Sequence, residues 1–299
     1  MTLVERAIEK LRRNAEQGQK PATRPVGSLV AEVPPSNSLN GPPATLPGRR
    51  IVVDRDALRE AGYLPETAVD RRFADHYRQI KRPLISQALA SPAPVPGSPR
   101  LIMMASALPG DGKTFTSINL ALSIARERDV SVVLVDADTP KPHVSRIFGV
   151  EKEPGLLDAL GDPSADIESF VLPTDVGGLS IVPAGKSHEG ATELLASARM
   201  ASVVTRLVAR DPRRIVLFDS PPLLVSSESR ALSAIAGQVI LVVRSGATPH
   251  QAVLDALEQI ADRPVALVLN QGRTSGSGSY YGYGTYGAPG DVKSGEAGG

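Results

Sequence analysis

A glycine-rich segment in the middle of the chain has the spacing of a phosphate-binding loop. Residues 107–114 read Ala-Leu-Pro-Gly-Asp-Gly-Lys-Thr, after the apolar run Leu101–Ser106 and before a helical pattern. This strand–loop–helix order lets backbone N–H groups of the loop and of the helix N-terminus point at phosphate oxygens. In this pattern Lys113 reaches the outer phosphates and the hydroxyl of Thr114 binds Mg²⁺. We therefore assign nucleotide binding to seven consecutive residues: Pro109, Gly110, Asp111, Gly112, Lys113, Thr114 and Phe115.

Two other apolar runs end in aspartate, and both endings are typical of a magnesium–nucleotide site. One run leads into Asp136 and Asp138, and the other into Asp219, which Ser-Pro-Pro follows. The carboxyl ends of strands are where ligands bind in open α/β sheets. A lone aspartate there is often a turn residue or a helix N-cap, but paired carboxylates suit Mg²⁺ coordination and proton abstraction. The run that ends in Asp219 has a Walker B pattern. The candidate catalytic residues are Lys113, Asp136, Asp138 and Asp219, and the candidate metal ligands are Thr114, Asp138 and Asp219.

The elements that must position these residues alternate between strand-like and helix-like segments over residues 100–270. Several strand candidates are continuous apolar runs, which is typical of strands buried on both faces of a parallel sheet. The predicted strands are Leu101–Ser106, Ser131–Asp136, Leu179–Val182, Ile215–Asp219, Val239–Val243 and Val265–Asn270. The predicted helices are Lys113–Arg128, Ala191–Arg210, Ser227–Ile235 and Pro249–Ala261. The alternation indicates an α/β fold, a mostly parallel sheet flanked by helices as in P-loop NTPases.

The segments that flank this core differ from it in composition. Residues 1–17 predict a short amphipathic helix whose apolar stripe docks on its own domain, on a partner protein or on a membrane surface. Residues 18–48 contain seven prolines and predict an extended linker. Residues 49–99 predict a helical extension, with one helix over Arg71–Leu89 that is interrupted at Pro83. Residues 271–299 are rich in glycine and serine and predict a flexible tail.

Composition and charge exclude several classes of function. The chain carries 33 Lys and Arg against 32 Asp and Glu, for a net charge of +1, which argues against a dedicated nucleic-acid binder. It has no cysteine, so a disulfide scaffold, a thiolate zinc site and a cysteine nucleophile are excluded. No apolar run is long enough for a membrane-spanning helix, and the first residues lack the apolar core of a secretory signal. The cytoplasm is the expected compartment.

Together these motifs resemble the bacterial tyrosine kinases of polysaccharide export systems, over residues 70–290. The resemblance depends on the phosphate-binding loop, the Asp-x-Asp strand, the Asp-Ser-Pro-Pro ending and a tyrosine-rich tail. Three segments are closer still to the exosortase-associated tyrosine autokinases: Leu3–Ala7, Tyr77–Leu84 and Asp136–His143. The resemblance implies an autokinase that uses ATP and Mg²⁺ and that regulates exopolysaccharide synthesis and export.

The resemblance also implies a role for each residue of the site. Lys113 contacts the β- and γ-phosphates, and Asp136 accepts the proton of the incoming tyrosine. Asp138 and Asp219 hold the metal directly or through water. Asn270 ends the last strand, where related P-loop ATPases have a residue that contacts the base. Most of the rate is expected from positioning and charge neutralisation, because the transition state of phosphoryl transfer is loose.

The tail and the helical extension receive roles from the same resemblance. In the family, C-terminal tyrosines are phosphorylated by a neighbouring subunit in a ring, and phosphorylation breaks the ring. The matching phosphoacceptors are Tyr280, Tyr281, Tyr283 and Tyr286. The family's subunit-contact pattern, Glu-x-x-Arg-x-x-Arg, corresponds to Asp75, Arg78 and Lys81, and Arg82 follows. The match is partial, because Asp replaces Glu and because Lys lacks the bidentate geometry of Arg.

Partners follow from the resemblance as well. Many proteobacterial relatives fuse the kinase to a membrane-spanning activator, and this sequence has no such segment. The resemblance therefore implies a separate membrane-embedded polysaccharide copolymerase as activator, and a cognate tyrosine phosphatase. No nucleic-acid partner is expected. The protein is then cytoplasmic and joins the inner membrane through its partner, with residues 1–17 as docking element and residues 18–48 as tether.

Two alternatives remain open at this point. A partitioning or cell-division-site ATPase of the ParA/MinD type shares the core fold, but it carries a lysine five residues before the P-loop lysine, where this chain has Leu108. That class also offers no reason for a tyrosine cluster. The other alternative is a non-enzymatic, nucleotide-binding regulator of polysaccharide assembly. Phosphate incorporation on tyrosine distinguishes both alternatives from an autokinase.

Overall fold

The computed structural model describes residues 50–63, 68–90, 97–186 and 190–272. Its centre is a seven-stranded sheet with the order β3-β4-β2-β5-β1-β6-β7. All neighbouring strands are parallel except β3, which pairs antiparallel to β4. The strands are β1 Leu101–Ser106, β2 Ser131–Asp136, β3 Leu172–Pro173, β4 Leu179–Val182, β5 Arg214–Asp219, β6 Gln238–Arg244 and β7 Val265–Asn270. The predicted α/β fold is confirmed.

Helices cover both faces of the sheet. They are α1 Arg55–Glu60, α2 Ala68–Ala90, α3 Lys113–Ile124, α4 His143–Ile147, α5 Leu156–Gly161, α6 Ala191–Leu195, α7 Ala198–Ala209, α8 Ser227–Ile235 and α9 His250–Gln259, with a 3₁₀ turn at Ile167–Phe170. Helices α1 to α4 pack on one face and α5 to α9 on the other. None of the helices within the described ranges is both long and apolar enough to cross a membrane.

The central strands are apolar on both faces because both faces are covered. Along β1, Leu101 and Met103 belong to the core beneath α5 to α9, whereas Ile102 and Met104 belong to the core beneath α1 to α4. Successive side chains of a strand point to opposite faces. Every residue of β1 is buried, which explains why this strand reads as a continuous apolar run.

Helix α2 passes through Pro83 without interruption, so the predicted break at that residue is wrong. The lost backbone hydrogen bond is offset by packing along one stripe, where Tyr77, Lys81, Leu84 and Ala88 are all buried. These positions are spaced by four, three and four residues, so they lie on one face of a helix. The stripe packs against α3, the helix that follows the phosphate-binding loop.

Several other details of the predicted elements differ from the structure. The predicted helix Ala191–Arg210 is two helices, because the backbone of Ser197 is extended. The hydroxyl of Ser197 donates to the carbonyl of Leu194 in the last turn of α6, and this contact separates the two helices. Helix α3 ends at Ile124 rather than at Arg128. The short strand β3 was not predicted. The predicted segments 1–17 and 18–48, and all of 271–299 after Gly272, lie outside the described residues.

Candidate active site

The carboxyl ends of three adjacent strands form the site. Strand β5 lies between β1 and β2 in the sheet. In the register of the parallel pairs, Asp219 lies beside Asp136 on β2 and beside Met104 on β1. The phosphate-binding loop leaves β1 at the same edge. The topology therefore brings together the Lys113–Thr114 pair and the three aspartates of the two other strand endings.

The phosphate-binding loop has the backbone that phosphate recognition needs. Gly110 and Gly112 have φ of 85° and 89°, the left-handed region that favours glycine. Helix α3 begins at Lys113, and within the described chain no side chain caps its N-terminus. The first N–H groups of a helix have no partner inside the helix. They are therefore available to phosphate oxygens, as expected for this loop.

Asp219 is the centre of the hydrogen-bond network in the site. Its side chain is fully buried, and its Oδ1 accepts from Lys113 Nζ at 3.0 Å and from Ser117 Oγ at 2.8 Å. Its Oδ2 accepts from Thr114 Oγ1 at 2.7 Å. The ammonium of Lys113 also lies 3.6 Å from Oδ2 of Asp138. Ser117 was missed from the sequence, although it lies one turn after Lys113 on the same helix face.

The side chain of Asp136 is buried, and only one of its two carboxylate oxygens accepts hydrogen bonds. Its Oδ2 accepts from both the backbone N–H and the hydroxyl of Ser145, each at 2.7 Å. Its Oδ1 is buried and has no hydrogen-bond partner in the described part of the chain. Burial, and next the charge of Asp219, raise the pKa of Asp136 to about 7. Burial also raises the pKa of Asp138. Sequence spacing gave no signal for Ser145.

The donor set fits a magnesium ion that is bound together with phosphates. Among the residues described here, no group of three His, Cys, Asp or Glu side chains is placed to enclose a metal by itself. Magnesium is usually held by one or two carboxylates together with substrate phosphates and water. The oxygens of Thr114, Asp138 and Asp219 supply such a set. The unpartnered Oδ1 of Asp136 adds a further acceptor at the same edge.

Hydrogen bonds of Asp111 and Asn270 stabilise the conformation of the phosphate-binding loop. Asp111 accepts from Leu108 N–H at 3.1 Å and from the hydroxyl of Thr248 at 2.7 Å. Asn270 Nδ2 donates to the carbonyl oxygen of Asp111 at 3.0 Å. An added Cβ on Gly112 would lie 2.0 Å from that amide nitrogen. Both side chains thus contact the loop itself; the contact of Asn270 with a base stays a prediction.

The predicted subunit-contact residues do not all face outward. Asp75, Arg78 and Arg82 are exposed on α2, and Asp75 and Arg78 form an ion pair within the helix. Lys81 is only 5% exposed; its ammonium donates to the carbonyl of Ser123 at 2.6 Å and lies 2.7 Å from Glu127 Oε1. In this conformation Lys81 joins α2 to the end of α3, and the other three residues form the accessible surface.

An aromatic cluster joins the N-terminal extension to the phosphate-binding helix. The ring of Phe115, next to Thr114, lies 5.1 Å from the ring of Tyr63 and 5.9 Å from that of Phe73. Phe73 also packs on Tyr77 at 5.0 Å. The cluster was not predicted, because Phe115 is distant in sequence from the other three rings. The predicted phosphoacceptors Tyr280, Tyr281, Tyr283 and Tyr286 lie outside the described residues.

Comparison with known proteins gives the family of the chain. Residues 99–264 match the AAA domain family. The tyrosine-protein kinase YwqD of Bacillus subtilis is 31% identical over 187 residues, which are 62% of this chain and 77% of that protein. The tyrosine-protein kinase etk of Escherichia coli is 30% identical over 173 residues, which are 57% of this chain and 23% of that protein.

A solved structure agrees with these relatives. The BceF tyrosine kinase domain is 28% identical, with a TM-score of 0.51 over 74% of this chain and 98% of that chain. The chain spans about a fifth of the length of the first curated relatives it matches, at 21% of each. The partitioning ATPase alternative is less supported than the kinase. The predicted resemblance is confirmed, and the chain belongs to the bacterial tyrosine-protein kinases, with an AAA domain over residues 99–264.

Proposed function

We propose that the protein is an ATP-dependent tyrosine autokinase that regulates exopolysaccharide synthesis and export. The observation that carries this proposal is the network around Asp219, which joins the phosphate-binding lysine and threonine to a Walker B carboxylate. Beside it lies a second buried carboxylate, Asp136, with one unpartnered oxygen. Such a site combines phosphate binding, oxygen ligands and a proton acceptor, the three parts that phosphoryl transfer to a hydroxyl requires.

Each residue has a role in the proposed transfer. Lys113 and the N–H groups of the loop neutralise the β- and γ-phosphates, and Thr114, Asp138 and Asp219 are the ligands for Mg²⁺. When bound, that ion neutralises phosphate charge. Asp136 accepts the phenol proton while the phenol oxygen forms a bond to the γ-phosphorus. The bond between that phosphorus and the bridging oxygen breaks, and ADP leaves with the electron pair.

The phosphoacceptors in this proposal are Tyr280, Tyr281, Tyr283 and Tyr286 of a neighbouring subunit. They lie after Gly272, which follows the last strand at the edge of the sheet where the site lies. The exposed charges of Asp75, Arg78 and Arg82 on α2 support a subunit contact through this helix. Each phosphate adds about −1.5 to −2 charges. Repulsion among phosphorylated tails and the acidic site is the physical route by which the ring would separate.

The proposed setting is a membrane-bound polysaccharide assembly system. A membrane-embedded copolymerase is the proposed activator, and residues 1–17 are the proposed element that docks on it. Peripheral association with the inner membrane then depends on that partner. A cognate tyrosine phosphatase would return the tail to its unphosphorylated state. Deletion of residues 1–17 should abolish recruitment to vesicles that contain the activator, and unchanged recruitment would contradict this part of the proposal.

Mass-spectrometric mapping of phosphotyrosine tests the proposed activity. Purified full-length chain is incubated with Mg-ATP, beside Lys113→Met and a chain truncated after Thr274. We expect phosphate on the tail tyrosines of the wild type and none in the Lys113 variant. ATP turnover without phosphotyrosine would favour a partitioning-type ATPase. If neither activity is seen, even after addition of the cytoplasmic segment of the activator, the non-enzymatic regulator becomes the better interpretation.

A further inference from the structure

We propose that Ser145 is a positioning residue for phosphoryl transfer, because it holds the carboxylate of Asp136 in one orientation at the edge of the proposed site. The inference rests on the proposed function. Asp136 is the last residue of β2, and Ser145 lies nine residues later in α4. The two side chains are 0% and 1% exposed, so water does not compete for their contact.

The contact between these residues is one-sided. Both donors of Ser145, the backbone N–H and the hydroxyl, reach the same oxygen of Asp136, Oδ2, at 2.7 Å each. The other oxygen, Oδ1, is buried without a hydrogen-bond partner in the described chain. Hydrogen bonds to a carboxylate are among the strong ones. Rotation of the carboxylate would break both, so Ser145 holds the carboxylate of Asp136 in a single orientation.

A third contact fixes the direction of the hydroxyl proton. Ser145 Oγ accepts the backbone N–H of Ala184, just after β4, at 3.0 Å. A serine hydroxyl has one proton to donate. Since Ala184 is a donor, that proton is directed to Asp136 and cannot turn away without leaving Oδ2. The loop after β4 thereby sets the orientation of Ser145, and Ser145 sets the orientation of Asp136.

Separate measurement of kcat and of KM distinguishes this role from a merely structural one. The Ser145→Ala substitution removes the hydroxyl contact and keeps the backbone contact to Oδ2. We expect kcat for tail phosphorylation to fall about tenfold or more, because small errors in geometry are costly in catalysis. KM for ATP and nucleotide affinity should stay within about twofold, since Ser145 does not touch the phosphate-binding loop. A merely structural role would instead lower the melting temperature and the active fraction, and leave kcat per nucleotide-binding site unchanged.

A double-mutant cycle shows whether Ser145 acts through Asp136. Ser145→Ala is compared in the wild type and in Asp136→Asn. If the role is positioning, the substitution costs about tenfold in kcat in the first background and little in the second. Equal losses in both backgrounds would overturn the inference. Ser145→Thr, which keeps the hydroxyl, should restore most of the activity and covers the case in which the alanine variant folds poorly.

Matched controls make the outcomes distinguishable. Ser233 is also buried, but its hydroxyl donates to the carbonyl of Arg230 in its own helix, so Ser233→Ala should leave kcat unchanged. An active wild type with an equally active Ser145→Ala variant overturns this inference alone. Absence of phosphotyrosine in the activated wild type overturns the proposed function and this inference with it.

Discussion

The ammonium of Lys113 lies 3.0 Å from Oδ1 of Asp219, and this contact joins the first residue of α3 to the last residue of β5. Both side chains are buried, at 6% and 0% exposure. The same ammonium is 3.6 Å from Asp138 Oδ2. One cation therefore offsets two carboxylates, and a bound phosphate would share that cation with them. The phosphate-binding lysine thus also contributes to the stability of the fold.

Substitution Lys113→Met should destabilise the nucleotide-free protein as well as stop catalysis. Removal of one partner from a buried ion pair leaves an uncompensated charge, and we expect a loss of about 3 kcal/mol in the free energy of unfolding. Urea denaturation without nucleotide measures it. The control is the same substitution in Asp219→Asn, where the loss should be clearly smaller. Equal losses in both backgrounds would show that the contact contributes nothing to stability.

The two left-handed glycines of the phosphate-binding loop should differ in their tolerance of alanine. Gly110 and Gly112 have similar positive φ, so alanine costs about 1 kcal/mol of backbone strain at either position. An added Cβ on Gly112 meets Asn270 Nδ2 at 2.0 Å, whereas one on Gly110 meets no described atom within 4 Å. Because Asn270 must then give up its bond to Asp111, Gly112→Ala should cost about 1 kcal/mol more than Gly110→Ala.

Chemical denaturation of the two glycine variants measures this difference. Asn270→Ala is the matching background, because it removes the atom that the new Cβ would meet. In that background Gly112→Ala and Gly110→Ala should have nearly the same cost. A difference that persists without the Asn270 side chain would place the clash elsewhere in the loop.

The fold and the centre of the site could be predicted because their signals are local. The alternation of strand-like and helix-like segments identified the six longer strands, several of them as continuous apolar runs. The loop motif and the three aspartates lie at strand ends. Pro83 shows where local reasoning fails, since the packing of α2 against α3 outweighs the proline. Strand β3 has only two residues, too few for a recognisable pattern of apolar residues, and it pairs only with β4.

The missed residues of the site are those whose partners lie far along the chain or depend on orientation. Ser145 contacts Asp136 and also Ala184, 39 residues later. The family resemblance predicts Lys81 in a subunit contact, yet its ammonium reaches the carbonyl of Ser123, 42 residues away. Neither contact follows from periodicity, because the packing of whole elements decides which side chains meet.

Lys81 and Arg78 should therefore respond differently to substitution. Lys81→Met keeps the apolar stem but removes the donor to the Ser123 carbonyl and the partner of Glu127. We expect a loss of about 1–2 kcal/mol in the free energy of unfolding. Arg78→Glu, at an exposed position, should change stability by less than about 0.5 kcal/mol and weaken self-association if α2 forms the subunit contact.

Denaturation and analytical ultracentrifugation of these two variants separate the roles. A stable Lys81→Met chain with impaired assembly would return Lys81 to the subunit contact. An Arg78→Glu chain that assembles like the wild type would remove the exposed face of α2 from the interface.

Thr248 should contribute to nucleotide affinity although it lies outside the phosphate-binding loop. Its hydroxyl donates to Asp111 Oδ1 at 2.7 Å and accepts from the backbone N–H of Arg244 at 2.9 Å, so it ties the loop to the end of β6. Thr248→Val keeps the shape and removes both contacts. We expect ATP affinity to weaken about tenfold, because one bond to a buried carboxylate is lost.

Isothermal titration with ATP tests this prediction, with kcat measured at saturating ATP. Once the site is filled, the loop is ordered by the phosphates themselves, so kcat should stay near the wild-type value. The control is Thr205→Val, because the hydroxyl of Thr205 donates within its own helix to Ala201 at 2.7 Å. If Thr248→Val binds ATP as tightly as Thr205→Val, the tie to β6 does not pre-form the loop. In that case the bond from Leu108 to Asp111 would be enough to hold the carboxylate in place.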